Sequence, residues 1–150
     1  MKRVLAILLL CTFALVGCGQ AKVAVPVPSP NAKDVATCHS LSTTLPLQVA
    51  DQDKRKVAEA PDLTAAWGDP PIFLRCGVAK PKSLEPTSSL ITVNGIDWFA
   101  EELTAGWRFT SMNTSVFVEV TVPNKYTPEA NALVDLSESL KSLIVLASTD

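Results

Sequence analysis

An α+β fold, a mainly antiparallel sheet with an N-terminal short helix and a C-terminal helix packed on one face, is predicted by three features of this sequence. Asn94-Gly95 sits between Leu90-Ile91-Thr92-Val93 and Ile96-Asp97-Trp98-Phe99, the strongest short signal for a two-residue hairpin turn. Val116, Val118, Val120 and Val122 alternate with other residues, which places four apolar side chains on one face of a strand. Leu133, Leu136, Leu140 and Leu143 recur at helical spacing, and such a stripe needs an apolar surface to cover.

The 150 residues leave room for one modest domain. Its first part has another purpose. Met1-Lys2-Arg3 is basic, and Val4 to Val16 is apolar apart from Thr12, the layout of a secretory signal. As a helix that stretch would reach roughly 20 Å, short of the ~30 Å hydrocarbon core. Leu15-Val16-Gly17-Cys18 follows and resembles the lipobox of bacterial lipoproteins, in which a small residue precedes the cysteine to be acylated. The expected organisation is a signal peptide over 1–17, a lipidated Cys18 with a Pro-rich tether over 18–34, and one globular domain over 35–150. Acyl chains such as palmitate contribute about 0.8 kcal/mol per buried CH₂, so two or more would give firm membrane attachment. Pro26, Pro28 and Pro30 favour an extended chain that would lift the domain roughly 50 Å off the lipid.

Loss of Lys2 and Arg3 leaves 11 basic against 15 acidic residues, about −4, which argues against nucleic acid as a partner. Of four cysteines, Cys11 leaves with the leader, Cys18 closes it, and Cys38 and Cys76 fall in the folded part. Two thiols in an exported domain suggest one disulfide.

Along the domain, Val35, Cys38, Leu41 and Leu45 follow helical spacing behind Asp34, which predicts a short helix capped by Asp34 with Cys38 facing inward. The polar centre Asp51-Gln52-Asp53-Lys54 suits a hairpin. Ala66-Trp67-Gly68-Asp69-Pro70-Pro71 is turn chemistry, since Gly68 permits unusual torsions and the two prolines block a helix. Ile72 to Val78 then reads as a buried strand. A second hairpin is predicted from Trp107-Arg108-Phe109-Thr110 across Asn113 to the valine strand. Thr127-Pro128-Glu129 reads as a cap, first helical proline and first-turn acid, opening a helix from about 128 to 147 that includes Ala147 in its stripe.

The segments AWGDPPIFLRCGV (66–78), VNGIDWF (93–99) and VFVEVTVP (116–123) together resemble the actinobacterial domain-of-unknown-function family 3515, from Cys38 to the C terminus. The resemblance implies a secreted or membrane-attached envelope protein with Cys38 and Cys76 paired, and it implies no activity. Where members carry a Thr/Tyr-rich strand, this chain has Trp107-Arg108-Phe109-Thr110-Ser111.

Catalytic groups are sparse. His39 is the single histidine and adjoins Cys38, which disfavours a Ser-His-Asp or Cys-His site. Two separated cysteines and one histidine lack zinc spacing, and no glycine loop for phosphate occurs. No metal and no cofactor is therefore expected, and no residue is assigned as catalytic. Trp67, Asp69, Asp97 and Trp98 form the candidate binding surface for sugar or peptide. The expected function is that of an envelope lipoprotein at the outer face of the cytoplasmic membrane, with a non-enzymatic binding or accessory domain facing an envelope protein or cell-wall component. The alternative is a lipid-anchored hydrolase using Asp69, Asp97 or Glu101, which would need two carboxylates across a cleft.

Overall fold

The first ordered choice along the chain is made by Asn31, whose side-chain oxygen accepts the Asp34 N–H at 3.0 Å and so satisfies one free donor of a helix end. In this computed structural model, which describes residues 21–145, helix α1 spans Ala32–Ser42. Asn31 rather than Asp34 is the cap; Asp34 lies in the first turn, where a carboxylate faces the positive end of the helix. Cys38 and Leu41 are buried as expected, whereas Val35 is 40% exposed. Only the C-terminal half of this 11-residue helix reaches the core. The leader, Cys18 and Ala147 lie outside the described residues.

Eight strands follow: β1 (Gln48–Val49), β2 (Gln52–Arg55), β3 (Thr64–Trp67), β4 (Ile72–Cys76), β5 (Ile91–Val93), β6 (Ile96–Leu103), β7 (Gly106–Ser111) and β8 (Val118–Pro123). They form one sheet in the order β1-β2-β3-β4-β8-β7-β6-β5, with every pair antiparallel. The Asn94-Gly95 turn has φ of 50° and 84°, the left-handed pair that matches strand twist. The β1–β2 turn uses the same region at Ala50 and Asp51, with φ of 48° and 60°. Asp51 tolerates it, Ala50 does not favour it, and the Ala50 N–H is held by the Asp135 carboxylate at 2.7 Å.

Ala66 and Trp67, read above as part of a turn, close β3 instead, and the turn is confined to 68–71. All four residues of β3 are buried, so no alternation marks it. The valine strand behaves as predicted: Val116, Val118, Val120 and Val122 are all core.

Helix α2 (Ala130–Leu140) buries Leu133, Leu136 and Leu140 and contacts both edge strands, β1 and β5. It is shorter than the spacing predicts. Thr127 donates to the Asn124 carbonyl instead of capping the helix, and Glu129 takes the N-cap position without a side-chain bond. At the other end a 3₁₀ turn over Lys141–Leu143 releases Ile144 into a bridge with Thr114, and the Val145 N–H donates to the Asn113 carbonyl at 2.8 Å. Those pairings need extended chain, so the helix ends before them. Both helices contribute to one buried cluster with Ile72, Leu74, Val118 and Val120. Cys38 and Cys76 are bonded within it.

The segment read as a free tether is packed from residue 21 onward. Val23 and Val25 are buried against Ala66 and Phe73. Val23 pairs with Val57 in a parallel bridge, giving its N–H to the Lys56 carbonyl and accepting the Ala58 N–H, each at 2.8 Å. Farther on, Pro30 lies over Gly77, where a Cβ would stand 2.6 Å from the proline ring. Gly77 also has φ of 84°, so no other residue seats this crossing without strain.

Two outcomes are expected. The disulfide closes a loop across 38 positions, so the chain-entropy model gives a loss of about 4 kcal/mol on reduction, read as a shift in the urea midpoint. The Val23 amide exchanges with solvent more slowly than a free chain would, which hydrogen exchange by NMR measures; exchange at the free-chain rate would mean that residues 21–25 are not docked.

Candidate binding site

Strand alternation decides where each predicted site residue lands. Trp67 and Trp98 are both 0% exposed and point into the core. The expectation that they line a binding surface is therefore corrected: their area is used in packing. Trp67 donates its ring N–H to the Pro46 carbonyl at 3.0 Å, while the Trp98 ring N–H has no hydrogen-bond partner among the described residues. Asp69 is exposed in the β3–β4 turn, with its backbone carbonyl accepting Lys125 Nζ at 2.6 Å. Asp97 accepts the Thr92 hydroxyl at 2.6 Å and lies on the opposite face from Trp98. Glu101 is four residues farther along the same strand, about 13 Å away at 3.3 Å per residue. Of the four residues of the candidate surface, the two tryptophans thus share the core cluster, while Asp69 and Asp97 lie outside it.

On the sheet face opposite the main core, cross-strand pairing builds two rows. One runs Thr64, Arg75, Glu119, Thr110, Phe99, and the other Ala66, Phe73, Thr121, Arg108, Glu101. The rows hold an ion cluster. Arg75 grips Glu119 through two bonds, 2.9 and 2.7 Å, the planar fork that a carboxylate fits. Arg108 approaches Glu119 at 3.6 Å and Glu101 at 3.9 Å, and Glu101 also accepts the Ser83 hydroxyl at 2.6 Å. Glu119 is buried, so this carboxylate is compensated by two guanidiniums and works as a structural node.

A different set of cations converges without acids. β2 pairs with β3 only through Lys54 and Arg55; beyond them the chain leaves to pair with Val23. The parting opens a cleft of about 300 Å³, lined by Lys22, Lys54, Arg55 and Lys56 with Ser42 and Thr64 among its walls. Arg55 is fixed by bonds to two carbonyls, Gly68 at 3.0 Å and Ala21 at 2.9 Å. Lys54 stands 6.0 Å from the Trp67 ring centre, and partial burial lowers its pKa from the ordinary lysine value. None of the four makes an ion pair among the described residues. The run Lys54-Arg55-Lys56 was visible in the sequence; alternation sets Lys54 opposite Trp67 and Arg55 opposite Ala66, with the Arg55 guanidinium held by Gly68 and Ala21. A larger hollow of about 490 Å³ lies between Leu84, Pro86, Leu90 and Phe117, with one lysine and one glutamate on its rim. Among the described residues, no group of three metal-ligating side chains occurs.

The model of the family described as protein of unknown function (DUF3515) matches residues 3–146, and the chain belongs to that family. The match extends well to the N-terminal side of Cys38, where the resemblance read from the sequence begins. No curated protein and no solved structure matches the chain.

Removing one partner of a buried ion pair leaves the other uncompensated. Glu119→Ala is therefore expected to cost about 3 kcal/mol, whereas the double change Arg75→Met with Glu119→Leu costs clearly less. Urea unfolding of the two variants checks this; equal losses would mean that the residues matter for packing and not as a pair.

Proposed function

We propose that this family member is a lipid-anchored envelope protein, carried on Cys18 at the outer face of the cytoplasmic membrane of an actinobacterium, with a binding or accessory role and no chemistry of its own. The lipobox-like Leu15-Val16-Gly17-Cys18 supports the anchor. The Cys38–Cys76 bond supports an oxidising, extracytoplasmic location, because such bonds rarely persist in the cytosol. Among the described residues, no helix is long and apolar enough to cross a membrane.

The observation that carries the reading furthest is the docking of residues 21–30. With Ala21 bonded to Arg55, only Gly19 and Gln20 separate the packed chain from Cys18. A lipid on that cysteine would hold the domain against the bilayer instead of on a long spacer. Such a protein would meet envelope proteins or wall components from a fixed orientation. The hydrolase alternative gains no support from the placement of Asp69, Asp97 and Glu101, since it asks for two carboxylates facing each other across one cleft.

Intact mass of the protein from the host membrane fraction, wild type against Cys18→Ala, tests the anchor. The expected result is a chain beginning at Cys18 with added acyl mass that is absent from the variant. An uncleaved or unacylated wild-type chain would overturn it.

A further inference from the structure

We propose that the basic cleft between β2 and β3 binds the phosphate of an anionic phospholipid headgroup in the membrane that carries the protein. The inference rests on the anchor reading for the source of the lipid, and on the cleft itself for the site.

Charge complementarity is the first argument. Lys22, Lys54, Arg55 and Lys56 line one opening and no carboxylate lines it, in a chain whose acids outnumber its bases. In the middle of the sheet Arg75 is neutralised by Glu119; Lys22, Lys54 and Lys56 are exposed at the cleft and have no ion-pair partner among the described residues. The two carbonyls that hold Arg55 fix its position without cancelling its charge, and its buried Nε has no hydrogen-bond partner among the described residues. The lowered pKa of Lys54 follows from losing water without gaining a counter-charge. A phosphate would supply that charge.

The second argument is where the chain outside the described residues must lie. Cys18 precedes Ala21 by three residues, a reach of at most about 10 Å, and Ala21 is bonded to a residue of the cleft wall. Acyl chains on Cys18 would bring the cleft to within about one Debye length of the headgroups. Leu47 strengthens the placement. It is 79% exposed, and its carbonyl accepts the Lys54 N–H at 2.7 Å, so an unburied leucine stands beside the cationic wall. Apolar and cationic groups side by side are what a lipid interface accommodates. A volume of about 300 Å³ suits one headgroup and not a folded partner.

The test uses full-length protein purified from host membranes and reconstituted in two kinds of vesicle, phosphatidylcholine alone and phosphatidylcholine with phosphatidylglycerol. Amide exchange is followed by mass spectrometry over residues 21–25 and 52–58. Each cation near an anionic surface is worth about a factor of five. Exchange of these segments should therefore slow about fivefold or more on the anionic vesicles. The double variant Lys54→Gln, Lys56→Gln should lose the difference, with unchanged exchange over 106–111 and 118–123 reporting an intact sheet. Equal exchange on both vesicles overturns the proposal, and so does equal protection by inorganic phosphate on neutral vesicles, which would assign the cleft to a soluble anion. The intact mass of the same sample keeps the two readings apart. Acylated protein without lipid-dependent protection removes the headgroup site and leaves the anchor. Protection in an unacylated chain removes the anchor and leaves the site.

Discussion

The contact of α2 with both edges of the sheet is the constraint on which the rest depends. Eight strands in one layer would normally leave β1 and β5 far apart, yet the helix touches each of them. The sheet must therefore curve around it. Twist and coiling are the natural behaviour of antiparallel strands, and Leu133, Leu136 and Leu140, all fully buried, give the curvature an apolar surface to close on. Asp135 reaches from the helix to the Ala50 N–H, and Ser139 donates to the Thr44 carbonyl. These bonds fix one edge. The Thr114–Ile144 bridge after the helix fixes the chain near the other.

What the sequence disclosed was local. The Asn94-Gly95 turn, the alternating valines and the leucine stripe each depend on neighbours within a few residues; the first two appear where expected, and the stripe is buried through Leu140 on a helix shorter than expected. β3 was hidden because it is buried on both faces and reads Thr-Ala-Ala-Trp, with neither alternation nor a β-branched run. The hairpin expected about Asp51-Gln52-Asp53-Lys54 is present, but its turn lies earlier, at Ala50-Asp51, and Gln52 to Lys54 belong to β2; Ala50 gives no sign of positive φ. Docking of residues 21–25 was hidden for a different reason: Val23 and Val25 alternate over too short a span, among prolines, and their partners Val57, Ala66 and Phe73 are distant in sequence. The cleft depends on that docking, so it was no more legible than the docking itself. Of the candidate surface, the tryptophans were misplaced because composition cannot tell a core ring from a platform.

The same residue types meet opposite fates in this fold. Arg75 and Arg108 stand over the middle of the sheet, where a buried Glu119 answers them and desolvation would otherwise be costly. Lys54, Arg55 and Lys56 stand at the point where two strands part, and water or a ligand can reach them. Position in the sheet, not residue identity, separates a structural cation from an available one.

The terminal strands of the sheet are its shortest, two residues in β1 and three in β5. A strand edge offers unpaired amide and carbonyl groups to any similar edge it meets, and the hazard grows with edge length and with local density. Molecules confined to a surface meet one another far more often than molecules free in three dimensions. β5 covers only Ile96–Trp98 of β6, so among the described residues the outer edge of Phe99–Leu103 has no strand partner, and that stretch is where two crowded copies would first pair.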